Sequence, residues 1–246
     1  MDKKVIIPEN KKVSIEELSY FETGAKDNQK VVKKVKEKGQ QASQKKPLLV
    51  LISGGVASGK TTLTQQAKEY FEKSYQGEVI TLSIDAYYTF SPLLFHLRNP
   101  NLSEVFQWEE LNKDLELLSA GKSIYLPIYD DSEGRRFTRS NGLIKSSSVV
   151  IVEGIFTLFY EEIREKSDLR VYIEVDDDLR LVRRLERYNK GLKEGKFNKP
   201  VKYEIARYKT QAKKNQENFV EPTKRYADLI VNNNSLAGSV KEVLCL

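Results

Sequence analysis

The residues Gly54, Gly55, Val56, Ala57, Ser58, Gly59, Lys60 and Thr61 fit the spacing G-x-x-x-x-G-K-[ST] in full. Each residue type has a chemical reason. Glycines let the backbone curl, so that successive N–H groups face inward and cradle phosphate oxygens. A helix starting near Lys60, with Thr62 in its first turn, adds the positive end of its dipole. Lys60 brings a charge to the β- and γ-phosphates, and the Thr61 hydroxyl suits Mg²⁺. The spacing therefore predicts a site for the phosphates of a nucleoside triphosphate with Mg²⁺. A glycine-rich turn with a chance Lys-Thr is the plain alternative. The context argues against it, because a buried strand precedes the loop and a helix follows.

Two carboxylates extend the chemistry. Asp85 follows Thr81-Leu-Ser-Ile, and Glu153 follows Val149-Val-Ile-Val. In open α/β sheets, ligands sit at the C-terminal ends of strands, so both acids are predicted at the mouth of the loop. Phosphoryl transfer needs a group to take the acceptor's hydroxyl proton and carboxylates to help hold Mg²⁺. Asp85 is read as the base, on the metal's edge as well, and Glu153 as a metal-side ligand. A turn cap for Asp85 and a structurally paired acid for Glu153 are the alternatives.

The elements that must position these groups alternate. Leu48–Ser53 is a continuous apolar run, as in a strand buried on both faces. A helix is predicted over about 60–73, a strand over 78–85, and a helix capped by Ser103 and closed by Gly121. Residues 123–129 and 136–144 read as a hairpin or flap. Strands follow at 149–153 and 169–175. A long basic helix starts at Asp177, a Lys/Gly-rich loop spans 190–199, a second helix runs to about Phe219, and a short strand covers 227–231. This alternation predicts an α/β fold with a parallel sheet and right-handed crossovers.

The bulk properties narrow the class. The chain has 246 residues, one cysteine (Cys245) and one histidine (His96). An intrachain disulfide framework is excluded, and zinc sites or Cys–His nucleophile pairs are disfavoured. Catalysis then falls to carboxylates, Lys, Arg, Thr and backbone amides. No apolar run reaches the roughly 20 residues of a membrane span. Met1–Asn10 lacks a secretory pattern, so a cytoplasmic protein is expected. Residues 1–46 hold 12 lysines against 7 acids, whereas the remainder is nearly balanced, at 29 basic and 28 acidic residues. The boundaries expected are a Lys-rich extension over 1–46, partly helical or disordered, and a catalytic domain over 47–246. The base-reading Asn-Lys-x-Asp of GTPases is missing: Asn112, Asn189 and Asn198 each begin a run that ends in Leu or Val.

Six segments carry a resemblance: GGVASGKTTL (54–63), SIDAYY (83–88), GKSIYLPIYD (121–130), VVIVEGIFTLF (149–159), RLVRRLER (180–187) and FVEPTKRYADLIV (219–231). In order and spacing the chain resembles the uridine kinase family, within the group that includes phosphoribulokinase and bacterial pantothenate kinase. The resemblance implies a P-loop kinase with a five-stranded parallel sheet, flanking helices and a small β-hairpin flap over the acceptor site. It implies an ATP- and Mg²⁺-dependent transfer to a nucleoside 5′-hydroxyl, as in pyrimidine salvage. By the same token Lys60 and Thr61 serve phosphate and Mg²⁺, Tyr88 and Tyr129 line the acceptor pocket, and Arg184 and Arg187 reach phosphates or acceptor. A solvated basic face is the alternative for the arginines, since Arg180, Arg183, Arg184 and Arg187 cannot all point one way. The expected partner is a small molecule, with no membrane; a nucleic acid is disfavoured and a homo-oligomer is left open.

The acceptor side departs from the family pattern. Gln107 stands where the family has an Asp for ribose hydroxyls, Asp131 and Gly134 stand near its aromatic and His, and Arg207 stands at its base-contacting Gln. Arg207, with Arg135 and Arg136, suits an anionic acceptor through bidentate bonds. Two other acceptor classes thus stay open beside a nucleoside: a phosphosugar and an acidic metabolite. A nucleotide-binding regulatory module is the non-enzyme alternative.

Overall fold

The computed structural model describes residues 46–75, 78–89, 106–126, 128–130, 135–137 and 142–234. The Lys-rich extension, His96, Ser103, Asp131, Gly134 and Cys245 lie outside them. β1 (Leu48–Gly54) is buried along all seven residues. Its side chains alternate between two cores, because successive residues of a strand point to opposite faces. Leu49 and Leu51 join one core with Leu82, Val152, Trp108, Leu111 and Leu115. Leu48, Val50 and Ile52 join the other with Leu63, Ala67, Ile151 and Ile173. This two-sided covering is why the strand reads as an unbroken apolar run rather than an alternating one.

The sheet has five strands in the order β2–β7–β1–β8–β9. These are β2 (Val79–Ser83), β7 (Val149–Glu153), β8 (Leu169–Glu174) and β9 (Leu229–Asn232) around β1. All pairings are parallel. The chain leaves β1 toward β2 on one side and returns through β7 to β8 on the other, so β1 is the switch point. Its C-terminal end is where a crevice opens in such sheets. Register brings the functional strand ends level: Glu153 pairs with both Ile52 and Ser83.

Helix α1 (Lys60–Tyr75) follows β1 directly. Helix α2 (Trp108–Ser119) starts later than the Ser103 expectation, with Gln107 as its cap. The reason is local. Tyr88 bridges Phe106, and the Gln107 N–H donates to the Tyr87 carbonyl at 2.9 Å, so Phe106 and Gln107 stay out of the helix. The flap is a pair of short antiparallel ladders, β3 (Ile124–Tyr125) with β6 (Leu143–Ile144) and β4 (Ile128–Asp130) with β5 (Arg135–Phe137). A short helix α3 (Glu161–Lys166) leads to β8, and α4 (Asp177–Lys193) follows it. α5 (Val201–Arg207) continues through π turns at Tyr208–Ala212 and Gln216–Val220 into a 3-10 segment at Glu221–Tyr226, which opens with Pro222. Segment 194–200 is pinned to α4. The Tyr188 and Phe197 rings stack at 4.7 Å, and the Tyr188 hydroxyl donates to the Lys199 carbonyl at 3.1 Å.

Candidate active site

The loop between β1 and α1 is shaped by what surrounds it. Ala57 adopts a φ of 63°, a left-handed conformation uncommon for a residue with a side chain. Gly59 has φ +97°, and a Cβ there would sit 2.6 Å from Asn233 Nδ2. That amide donates to the Ser58 carbonyl at 2.8 Å, tying the loop to the end of β9. At Gly55 a Cβ would lie 2.4 Å from the Arg180 guanidinium and 2.7 Å from Gln216 Oε1. The backbone therefore passes flush over two buried polar side chains. Lys60, Thr61 and Thr62 head α1, so their N–H groups have no intrahelical acceptor. No acidic residue occupies that first turn. Ser58 Oγ is buried without a hydrogen-bond partner among the described residues. An orphaned hydroxyl beside open amides at a helix N-terminus fits an anion carrying several oxygens.

Lys60 folds back over the loop, donating to the carbonyls of Gly54 at 3.1 Å and Gly55 at 2.9 Å. Burial lowers its pKa to about 8, while Glu153 and Asp85 pull it back up and Arg187 and Arg180 push it further down. Two acids and three cations thus share one small volume. Glu153 arrives on the end of β7. Asp85 arrives on a 3-10 turn, Ile84–Tyr87, whose first residues are capped by Ser83: its hydroxyl accepts from the Asp85 N–H at 3.3 Å. Thr61 is exposed at the mouth. Among the described residues no cluster of three His, Cys, Asp or Glu forms a protein-only metal cage. One hydroxyl and two carboxylates beside a phosphate cradle instead suit Mg²⁺, which takes few protein ligands and completes its shell with phosphate and water.

The expected arginines separate. At helical spacing on α4, Arg180 and Arg184 are buried, Arg183 donates to the Asn233 carbonyl at 2.9 Å, and Arg187 is exposed. Arg184 bonds through Nε to the buried carboxylate of Glu204, which also takes Arg207 at 3.2 Å. Burial lowers the Arg184 pKa, and Glu204 opposes that. Around the acceptor side, Tyr88 packs on Phe106 with ring centroids 4.2 Å apart, one residue from half-buried Gln107. Tyr129 and Arg136 pair across the β4–β5 ladder, as do Asp130 and Arg135. β4 lies against the turn bearing Asp85. Sequence reasoning did not single out Arg180, Glu204, Gln216 or Asn233. Arg180 could have been found, since it stands four residues before Arg184 and seven before Arg187. The others lie far along the chain from what they touch and leave no local signal.

Fold and site together define a P-loop phosphotransferase acting on an alcohol group. Residues 49–237 match the Phosphoribulokinase / Uridine kinase family. The chain is 36% identical over 192 residues to a uridine kinase of Lactobacillus helveticus, covering 76% of this chain and 86% of that one. It is 34% identical over 194 residues to a uridine kinase of Ligilactobacillus salivarius, with the same shares of the two chains. In fold it is similar to the D-glycerate 3-kinase of Cryptococcus neoformans, with a TM-score of 0.60 at 18% identity over 88% of this chain and 98% of that one. The chain belongs to the phosphoribulokinase/uridine kinase family.

Proposed function

We propose that this protein transfers the γ-phosphoryl group of ATP to the 5′-hydroxyl of a pyrimidine nucleoside, uridine or cytidine, as a cytoplasmic salvage enzyme. The loop amides and Lys60 hold the triphosphate. Asp85 takes the proton of the acceptor hydroxyl as its oxygen bonds to the γ-phosphorus and the bond to the β–γ bridging oxygen breaks. Thr61, Glu153 and Asp85 would hold Mg²⁺, which would offset charge on the phosphate oxygens. Exposed Arg187, within electrostatic reach of Lys60, supplies a further cation, so that most of the rate comes from positioning and preorganised charge.

The observation that carries a neutral acceptor is Glu204. Arg184 and Arg207 are the arginines that this reading assigns to the acceptor, and an anionic acceptor needs their donors free of a carboxylate. Both instead bond to one buried carboxylate, at 4% relative exposure, which offsets one of the two charges and takes up a donor of each. Their remaining N–H donors suit carbonyl oxygens of a neutral ring better than a phosphate or carboxylate. Gln107, which donates and accepts, suits ribose hydroxyls.

A coupled assay of ADP release with uridine, cytidine, ribulose 5-phosphate and pantothenate tests this. Stimulation by uridine or cytidine alone is expected. Stimulation by an anion alone would overturn the acceptor class, and nucleotide binding with no stimulation by any of the four would favour a regulatory module.

A further inference from the structure

Behind the turn that carries Asp85 lies a carboxylate that substrate contact does not explain. Asp114, on the second turn of α2, is fully buried at 0% exposure, on a helix whose Trp108, Leu111, Leu115 and Leu118 belong to the core. The Tyr87 hydroxyl, also at 0% exposure, donates to its Oδ2 at 3.0 Å. A carboxyl group in an apolar core is costly unless it is hydrogen-bonded, and a hydrophobic residue would fill the same place more cheaply. Packing alone therefore does not account for this pair.

Tyr87 is placed to use it. It closes the 3-10 turn two residues after Asp85 and directly precedes Tyr88. Its carbonyl accepts from the Gln107 N–H at 2.9 Å, so the residue is held to α2 at both its backbone and its side-chain tip. A four-residue 3-10 turn has poor hydrogen-bond geometry and little rigidity of its own. The two anchors, seven positions apart on α2, fix both its translation and its tilt. One side of the clamp is the cap that bears Gln107, and the other is a core helix.

We infer that Tyr87 and Asp114 are positioning residues for the transfer step: their buried hydrogen bond clamps the Ile84–Tyr87 turn to α2 and so sets the distance between the Asp85 carboxylate and the acceptor held near Gln107. The inference rests on the reading of Asp85 as the base. Both side chains are fully buried. Their action passes through the backbone of the turn, and the ATP loop on the far side of β7 is not part of it.

The test compares Tyr87→Phe, which removes only the hydroxyl, with Asp114→Asn, which keeps an acceptor oxygen for it. A Tyr87→Phe/Asp114→Leu double variant removes both members of the bond together. Steady-state kinetics with uridine, nucleotide affinity by calorimetry, and amide hydrogen exchange of residues 84–88 and 107 are measured on each. In Tyr87→Phe and in the double variant, kcat is expected to fall about tenfold with ATP affinity unchanged. Exchange should quicken at 84–88 but not in the loop 54–62. Asp114→Asn should keep kcat within about twofold of the parent. A folded double variant with unchanged kcat, or with unchanged exchange at 84–88, overturns the inference and leaves the pair merely structural. An equal loss of ATP affinity overturns it too, since it reports general loosening. If the parent protein turns over no acceptor at all, the proposed function fails on that arm, while the exchange measurement still decides the clamp.

Discussion

Replacing Lys60 with methionine removes an ammonium group of similar reach but leaves the stem to pack. In the free protein this lysine is held at a pKa of about 8 by burial, against 10.5 in an unfolded chain. Below pH 8 the group is charged in both states, and the folded protein bears the whole cost of the buried charge. Above pH 10.5 it is neutral in both and that cost is gone. Between the two values the unfolded chain binds more protons, so the lysine's contribution to stability improves as pH rises. The gap of about 2.5 pK units corresponds to about 3 kcal/mol. Other titrating groups are common to parent and variant and cancel in the difference. The stability difference between Lys60→Met and parent, measured in the absence of nucleotide, should therefore shift by about 3 kcal/mol between pH 7 and pH 10.5, with the variant relatively more stable at the lower pH. For a domain of this size that is about 6–12 °C in relative Tm, read by differential scanning fluorimetry at both pH values. ATP binding should be lost in the variant at both. A stability difference that stays constant with pH would refute the burial of this ammonium group, and with it the seat of Lys60 against the Gly54 and Gly55 carbonyls.

Asp85→Asn should lower kcat by about 10²–10⁴ while nucleotide affinity, measured by calorimetry, stays near that of the parent; normal turnover would remove Asp85 as the base. Glu204→Ala leaves Arg184 buried and uncompensated, and urea denaturation should show a loss of about 3–5 kcal/mol, with a smaller loss in Glu204→Gln. Gly59→Ala places a methyl group 2.6 Å from Asn233 Nδ2 in a left-handed conformation, so ATP affinity should fall at least tenfold with acceptor KM little changed.

The parallel sheet was legible because its strands are buried on two faces. Leu48–Ile52 and Val149–Val152 are apolar at every position, and only a doubly covered strand needs that. The phosphate loop was legible because its residues are contiguous, and the places of the two acids were legible because each stands at or just past the end of a strand. The partners of Arg184 and Arg207 were not. Glu204 lies twenty residues beyond Arg184, across a loop whose length sequence alone does not convert into a crossing of two helices. The start of α2 was misplaced for a similar reason. Ser103 is a good cap by type, but the pairing of Tyr88 with Phe106 keeps Phe106 out of the helix, and tertiary contacts override local preference. Tyr87 and Asp114 left no trace at all: a tyrosine beside a tyrosine and an aspartate on a charged helix look like surface residues until the fold closes over them.

The ring stack between Tyr188 and Phe197 has a mechanical consequence. Gly191 gives Phe197 its seat, since a methyl group there would meet the ring at 2.3 Å, so the aromatic plate lies flat along the last turns of α4. Lysines 190, 193, 196 and 199 are carried by one stiff strut and not by a loose strap. Arg187 stands on the same unit, so its guanidinium and this row of ammonium groups keep a fixed spacing along one edge of α4.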